Sequence, residues 1–173
     1  MFKFGYMVLV SILLVGAVLT GCSSASSNAP AAKEGDKVQV NYTGRLADGT
    51  VFDSSTSTGR SPLEFTVGSG QVIEGFDKAV VGMKVGEKKT VNIPAAEAYG
   101  LHDDSQVIEV SRDRIKVDGE LKVGQMLTSV GPDGQQYQFT ILAISDNGTI
   151  TLDANHPLAG KDLTFEIELL KIN

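Results

Sequence analysis

The side chains that most often perform covalent or metal chemistry are scarce in this sequence. Its 173 residues include two His and one Cys. His102 and His156 cannot form a His-rich site; His102 could bind a cation weakly with Asp103 and Asp104, and the alternative is a solvated loop. The stretch 82–90 lacks the spacing of a phosphate-binding loop, and no motif supports Ser-His-Asp hydrolase chemistry. We therefore expect no metal site and no cofactor.

The single Cys lies directly after a segment with the features of an export signal. An apolar run at 7–19 is shorter than the roughly 20 residues of a membrane-spanning helix, which favours a signal peptide. The sequence Leu-Thr-Gly-Cys at 19–22 is similar to the lipobox of bacterial lipoproteins. That similarity implies removal of residues 1–21 and lipid attachment at Cys22; an unpaired thiol behind an ordinary secretory leader is the alternative. We expect a cell-envelope protein, lipid-anchored to a bacterial membrane and facing the periplasm or the cell exterior.

The charge balance argues against nucleic acid as a partner. The chain has 15 Lys and Arg against 21 Asp and Glu, a formal charge of −6 and a pI of about 4.9. It therefore offers no excess of cations to neutralise phosphates. Residues 22–33 are small, polar and nearly uncharged, and we expect them to form a flexible linker that keeps the following domain close to the membrane.

Strand signals dominate the chain from residue 34 onwards. The stretches that predict strands are 37–43, 63–67, 87–93 and 163–169, most of them with the period of two of a half-buried strand. Asp48-Gly49 supplies the residues of a hairpin turn. The stretch 72–81 predicts a short helix that ends at Gly82. Strands therefore predominate, with one short helix to cover a sheet.

More than sixty residues between Tyr99 and the last strand contain strand signals of their own. The apolar-rich runs lie at 106–110, 125–130, 136–144 and 149–152. Asp-Gly and Asn-Gly pairs punctuate them. A loop of this length without internal structure is uncommon in a compact domain, so we expect an inserted subdomain.

Several blocks of the sequence resemble FKBP-type peptidyl-prolyl cis-trans isomerases, in the order of that family. They are 40–55 (VNYTGRLADGTVFDSS), 62–68 (PLEFTVG), 71–77 (QVIEGFD), 83–87 (MKVGE), 98–100 (AYG) and 165–170 (FEIELL). The insert, together with 155–160 (NHPLAG), is similar to the SlyD group of the family. In that group an insert-in-flap chaperone domain follows the Tyr-Gly pair.

The resemblance implies an α+β fold: a bent antiparallel sheet wrapped around a short helix, with a small, mostly-β insert-in-flap subdomain. It implies an isomerase domain at 34–104 and 153–173 and an insert-in-flap chaperone domain at 105–152. The residues with an implied catalytic role are Tyr42, Asp53, Tyr99 and Phe165. The residues with an implied substrate-binding role are Phe52, Leu63, Phe65, Val72, Ile73 and Phe76. Phe76 stands where eukaryotic members commonly have Trp, a substitution familiar in the SlyD-like group.

An apolar pocket suits this reaction. Rotation about an Xaa-Pro bond has a barrier of about 18–20 kcal/mol and breaks no covalent bond. The twisted amide of the transition state loses resonance and some of its dipole, so a dry, apolar site favours it over the planar ground state. Following the family pattern, Tyr99 could donate its hydroxyl to the carbonyl before proline, and Asp53 could orient Tyr42 or polarise that carbonyl through space.

Each assignment has a structural alternative. The aromatic residues could be ordinary core residues, Asp53 could start a turn, and Tyr99 could pack at the start of a loop. The insert could only stabilise the fold, and the whole protein could be a non-catalytic peptide-binding chaperone with a vestigial prolyl pocket. We expect a monomeric isomerase that acts on unfolded or partly folded proline-containing polypeptides during the folding of exported proteins, with chaperone activity from the insert.

Overall fold

The computed structural model describes residues 30–117, 119–132 and 134–173. The predicted signal peptide, the lipid-attachment residue Cys22 and most of the predicted linker lie outside these residues. In the described part of the chain, no helix has the length and apolar character needed to cross a membrane.

Antiparallel strands make up most of the described structure, with a single short α-helix among these residues. The elements are β1 Lys37–Arg45, β2 Val51–Ser54, β3 Leu63–Thr66, α1 Glu74–Val80, β4 Lys88–Ile93, β5 Val107–Ser111, β6 Met126–Val130, β7 Gln136–Ile144, β8 Thr149–Asp153 and β9 Leu163–Ile172. All strands predicted from the sequence are confirmed, each to within three residues at both ends. β2 was not predicted, because its four residues show no alternation.

The first sheet has the order β2-β1-β9-β4, and β3 also pairs with β1. The two long strands β1 and β9 lie side by side in its centre, with Val40 opposite Leu169 and Gly44 opposite Phe165. The alternating apolar residues of β9 point into the core: Leu163, Phe165, Ile167 and Leu169 are all buried. Charged Glu166 and Glu168 occupy the other face. The period of two therefore sets which side of this sheet receives the helix.

Helix α1 covers the buried face of the first sheet. Phe76, Ala79 and Val80 of the helix belong to the same core as the strands. Gly75 allows a close approach, since a methyl group there would overlap Cγ2 of Ile93. The helix ends before Gly82, which has a φ of 84° that glycine adopts readily.

The predicted linker is too long at its C-terminal end. Ala31 forms a β-bridge with Lys84, and Ala32 is buried in the core. The Ala32 N–H donates to the Met83 carbonyl at 2.8 Å, and the Gly82 N–H donates to the Ala32 carbonyl at 2.7 Å. Residues 31 and 32 are therefore part of the folded domain, because their backbone pairs with the segment that follows α1 and the Ala32 side chain is buried.

Residues 107–153 form a second sheet with the order β5-β8-β7-β6, and we call this region the second lobe. Its core is small and aliphatic, consisting of Leu121, Leu127, Ile141, Ile150 and Leu152. Two segments, 100–106 and 154–160, join it to the first sheet, and we call them the junction. The buried side chain of Asn155 links the two segments: its amide donates to the Asp103 carbonyl and its Oδ1 accepts from the Asp103 N–H, both at 3.0 Å.

Candidate active site

A cavity of about 220 Å³ opens between the first sheet and the residues around helix α1, and we call it the prolyl pocket. Nine of the ten pocket residues predicted from the sequence line it, and Gln71 lines it as well. The full lining is Tyr42, Phe52, Asp53, Leu63, Gln71, Val72, Ile73, Phe76, Tyr99 and Phe165. The fold thus brings the predicted residues together from β1, β2, β3, the start of α1, the 98–100 turn and β9.

The floor of the prolyl pocket is a cluster of aromatic rings that meet edge to face. Phe76 and Phe165 have ring centroids 5.2 Å apart at 82°, and Phe52 meets Phe165 at 5.6 Å and 88°. Tyr42 contacts Phe76 at 5.8 Å and 84°. This geometry places the positive edge of one ring on the negative face of the next, which is favourable and fixes each ring in place. The pocket floor is therefore apolar and closely packed.

Phe65 corrects the sequence prediction, because it does not line the prolyl pocket. Its side chain is 2% exposed and packs against Phe76 with a centroid distance of 5.9 Å. On β3 it has the same orientation in the strand period as Leu63, which does reach the pocket. Phe65 therefore supports the pocket floor from behind.

Gly44 allows the aromatic cluster to form, and the sequence reasoning did not single it out. A methyl group on Gly44 would lie 2.6 Å from Cζ of Phe52 and 2.9 Å from Cε1 of Phe165. Both distances are far below van der Waals contact, so a larger residue would push the two rings apart. The signal available in the sequence is a glycine inside a strand, which often marks a close approach.

A polar group of three side chains lies at one rim of the prolyl pocket. The Tyr42 hydroxyl donates to Asp53 Oδ2 at 2.5 Å, and Arg60 Nη2 forms an ion pair with Asp53 Oδ1 at 3.0 Å. Burial, followed by the hydrogen bond and the charge of Asp53, raises the pKa of Tyr42 to about 12, and Arg60 opposes this. Tyr42 is therefore a neutral phenol at physiological pH. Arg60, in a turn-rich loop, was not predicted.

Tyr99 forms another part of the rim, beside the junction. It follows a 3₁₀ turn at Ala95–Glu97 and precedes Gly100, which has a φ of 84°. Its ring stacks on the imidazole of His156, with centroids 3.9 Å apart and planes 4° apart. No local signal in the sequence connects His156 with Tyr99.

Both ring nitrogens of His102, the residue of the possible cation site, lie within hydrogen-bond distance of Asp side chains. His102 Nδ1 lies 3.1 Å from Asp104 Oδ1, and Nε2 lies 3.1 Å from Asp153 Oδ2. The hydrogen bond with Asp153 is the main cause that raises the pKa of His102. Asp103 instead accepts from the N–H and hydroxyl of Ser105. Among residues 30–117, 119–132 and 134–173, no group of three or more His, Cys, Asp or Glu is arranged to hold a metal ion.

Two other cavities differ in chemistry from the prolyl pocket. A groove of about 310 Å³ on the first sheet is lined mainly by polar residues, among them Lys88, Lys89, Glu166 and Glu168. A groove of about 380 Å³ lies in the second lobe, and we call it the second-lobe groove. It is lined by Ile108, Val110, Arg114, Ile115, Lys116, Val117, Leu127, Thr128, Ser129, Phe139 and Leu152. Only the prolyl pocket combines an aromatic floor with a polar rim among the three.

The prolyl pocket has the size and polarity to receive a proline ring. Its volume equals that of about seven water molecules, and its aromatic floor offers no strong hydrogen-bond partner to water. A five-membered ring can therefore enter with the preceding peptide group at the polar rim. The lining contains no Ser, Thr, Cys, Lys or His, and its carboxylate, Asp53, is engaged by Tyr42 and Arg60, so the arrangement suits a conformational reaction more than a covalent one.

Comparison with known proteins points to the same chemistry. A family model for the FKBP-type peptidyl-prolyl cis-trans isomerase matches residues 29–170. The short-type peptidyl-prolyl cis-trans isomerase of Methanocaldococcus jannaschii is 37% identical over 150 residues, covering 79% of this chain and 91% of that protein. The FKBP-type 16 kDa peptidyl-prolyl cis-trans isomerase of Escherichia coli (strain K12) is 33% identical over 136 residues, covering 79% and 90%.

A third relative covers a smaller share of this chain. The FKBP-type peptidyl-prolyl cis-trans isomerase SlyD of Helicobacter pylori is 39% identical over 120 residues, covering 69% of this chain and 63% of that protein. The antiparallel first sheet, its single short helix and the aromatic pocket agree with the family match over most of the chain. This chain belongs to the FKBP-type peptidyl-prolyl cis-trans isomerase family.

Proposed function

We propose that this isomerase is a SlyD-like, lipid-anchored enzyme that assists the folding of exported proteins. In this proposal the prolyl pocket accelerates Xaa-Pro isomerisation, and the second lobe is an insert-in-flap chaperone domain that holds unfolded or partly folded clients. The observation that supports both activities is a pair of apolar cavities, one on each sheet, in a chain that crosses between the sheets only twice within its described residues.

The prolyl pocket acts by favouring the twisted amide. The planar Xaa-Pro amide has a larger dipole than the twisted one, so its transfer from water to the aromatic floor is less favourable. The rings of Phe76 and Phe165 are held edge to face and need little reorganisation when the substrate rotates. The pocket thus binds the transition state better than the ground state, which is the condition for catalysis.

The polar rim orients the peptide group next to proline. Because Tyr42 donates to Asp53, and Asp53 also pairs with Arg60, these three side chains hold one another in place. Asp53 therefore acts mainly by orienting Tyr42. The Tyr99 hydroxyl has no hydrogen-bond partner within the part of the chain that the structure describes, so it is free to donate to the carbonyl before proline.

The second lobe offers a broad apolar surface for client chains. Ile108 is 42% exposed beside the half-buried Val110, and both line the second-lobe groove. Strands β5 and β6 are the edges of the second sheet, with backbone groups that an extended chain can pair with. A client held here would have a raised local concentration at the prolyl pocket.

Replacement of residues 105–152 by a short loop tests the division of labour. This change removes the second sheet but keeps His102, Asp103, Asp153 and Asn155 in the junction. We expect turnover of a short Xaa-Pro tetrapeptide to stay within about twofold and activity on a proline-limited refolding protein to fall by about tenfold or more. Equal loss on both substrates, or on neither, would contradict the chaperone role.

The cis/trans assay on the tetrapeptide also tests the alternative, a non-catalytic peptide-binding chaperone. The open aromatic pocket and the family match support catalysis over that alternative. A wild-type chain that binds client polypeptides but leaves the tetrapeptide rate unchanged would favour it. The proposed partner is an unfolded polypeptide in either case, and neither nucleic acid nor a cofactor enters the proposal. Sedimentation of the purified domain tests the proposed monomer.

The lipid anchor rests on the lipobox-like sequence before Cys22. We propose that Cys22 is lipidated, so that the protein is attached to a bacterial membrane in the cell envelope. Radiolabelled palmitate should enter the wild-type protein and should not enter the Cys22→Ser variant. Equal labelling of the two, or no labelling of the wild type, would remove this part of the proposal.

A further inference from the structure

Tyr99 has an unusual position for a residue that must place a hydroxyl group accurately. It is 39% exposed and lies in a turn, with Gly100 directly after it. Within the described residues its hydroxyl has no hydrogen-bond partner to fix it. The position of the ring must therefore come from packing.

His156 provides that packing. Its imidazole lies parallel to the Tyr99 ring, with centroids 3.9 Å apart. The Leu158 N–H donates to His156 Nδ1 at 3.1 Å. Nδ1 is therefore an acceptor, the proton of the neutral imidazole is on Nε2, and rotation of the ring would break this bond. Burial also lowers the pKa of His156, which favours the neutral form.

The backbone on both sides of the stack is held as well. Asn155, directly before His156, is 8% exposed and is bonded twice to the backbone of Asp103. The Gly160 N–H donates to the Gly100 carbonyl at 2.8 Å. The two junction segments are thus tied together next to Tyr99 and next to His156, which keeps the two rings in register.

We propose that His156 is a positioning residue for the prolyl pocket: its imidazole holds the Tyr99 ring at the rim, so that the Tyr99 hydroxyl faces the substrate. The inference rests on the proposed role of Tyr99. It extends that role to a residue outside the pocket lining and makes the junction part of the apparatus for isomerisation.

Two substitutions separate the flat ring from the hydrogen-bond acceptor. His156→Phe keeps a flat ring for the stack and loses the acceptor for Leu158, whereas His156→Asn keeps a polar acceptor and loses the ring. On a short Xaa-Pro peptide we expect His156→Asn to lower kcat/KM by about tenfold, mostly through kcat, and His156→Phe to stay within about twofold of wild type. Thermal unfolding of both variants shows whether any loss comes from the fold.

A double-mutant cycle with Tyr99→Ala tests the coupling between the two rings. If His156 acts through Tyr99, adding His156→Asn to Tyr99→Ala should change turnover by less than about twofold. Equal activity of the two His156 variants, or a His156→Asn effect that persists in the Tyr99→Ala background, would overturn the inference alone. Full activity of Tyr99→Ala would overturn the proposed role of Tyr99 as well, so the two failures are distinguishable.

Discussion

The prolyl pocket and the second-lobe groove are both apolar, but they are built in different ways. The pocket is the smaller, about 220 Å³ against about 380 Å³, and its floor consists of aromatic rings that fix one another edge to face. The groove is lined mainly by aliphatic residues, with Phe139 as its single aromatic residue. It lies over a core of five buried side chains.

This difference matches the two tasks that we propose. Catalysis of a rotation needs groups that stay in place while the substrate moves, and interlocked rings meet that need. Holding many unrelated chains needs apolar area and tolerance of different shapes. The aliphatic side chains over the small core of the second lobe provide apolar area and can adapt to different shapes. The two regions should therefore respond differently to the same kind of mutation.

The largest expected difference is between Phe165→Ala in the pocket floor and Ile141→Ala in the core of the second lobe. Phe165 contacts Tyr42, Phe52 and Phe76, so its loss should lower tetrapeptide turnover by about a hundredfold. It should also reduce the free energy of unfolding by about 3–5 kcal/mol. Stopped-flow isomerisation and urea unfolding measure the two effects.

Ile141→Ala is the control for destabilisation, because Ile141 is fully buried and lines neither cavity. We expect it to cost about 2–5 kcal/mol of stability in the second lobe and to leave tetrapeptide turnover within about twofold. Phe165→Ala with unchanged turnover and an intact fold would show that the pocket is not the site of isomerisation.

A charge added to the second-lobe groove should lower activity on a refolding protein and leave tetrapeptide turnover in the prolyl pocket almost unchanged. Ile108→Lys removes an exposed apolar side chain from the second-lobe groove and adds a cation to the two already there, Arg114 and Lys116, so it should lower activity on a refolding protein by about fivefold to tenfold. Its effect on the tetrapeptide should be less than about twofold. Val123→Lys, at an exposed position of the same lobe outside the groove lining, is the matched control. Equal effects of the two lysines on refolding would argue against a client site in this groove.

Gly44→Ala tests whether the rate of isomerisation depends on the positions of the aromatic rings in the pocket floor. The added methyl group overlaps Phe52 and Phe165, so these rings must move and turnover of the tetrapeptide should fall by about fivefold. Gly75→Ala produces a similar overlap with Ile93, away from the pocket lining. We expect Gly75→Ala to reduce thermal stability with little change in turnover per folded molecule. A reversed pattern would mean that ring placement does not limit the rate.

The smallest expected effect concerns the polar rim at high pH. Because the pKa of Tyr42 is raised to about 12 from 10.0, the folded protein keeps this phenol protonated where the unfolded chain has lost the proton. The stability from this group is fully present below pH 10 and is lost as the pH rises towards 12. Phenolate absorbance should show a late-titrating component in the wild type that is missing in Tyr42→Phe. Identical late titration in both proteins would contradict the hydrogen-bonded rim.

The fold was largely predictable because the strongest signals are local. The alternation of Leu163, Phe165, Ile167 and Leu169 identifies β9, and the same period identifies β1 and β3. β2 gave no such signal, since its sequence Val-Phe-Asp-Ser has two apolar residues followed by two polar ones and does not alternate. The end of the linker was misjudged because Ala31 and Ala32 have the composition of a flexible segment, and only the contact with Lys84 and Met83 makes them structural.

The sequence predicts most of the residues that line the prolyl pocket, but it does not predict how they are arranged around it. Strand period gives Leu63 and Phe65 the same face, and it cannot tell which of them reaches the cavity. Gly44 is needed because of rings that come from two other strands, and Arg60 reaches Asp53 from a loop. The Tyr99–His156 stack joins residues on opposite sides of the second lobe in sequence, so three-dimensional structure is needed to find it.

If Cys22 carries the proposed lipid, the attachment of Ala31 and Ala32 to the folded body limits how far the enzyme can travel from a membrane. Cys22 and Ala31 are nine residues apart, a reach of about 30 Å even at full extension. With the proposed lipid in place, the prolyl pocket would work only in a thin layer of water over the bilayer. A chain emerging from the membrane would meet it there repeatedly before diffusing away, whereas a protein released into bulk solvent would rarely return.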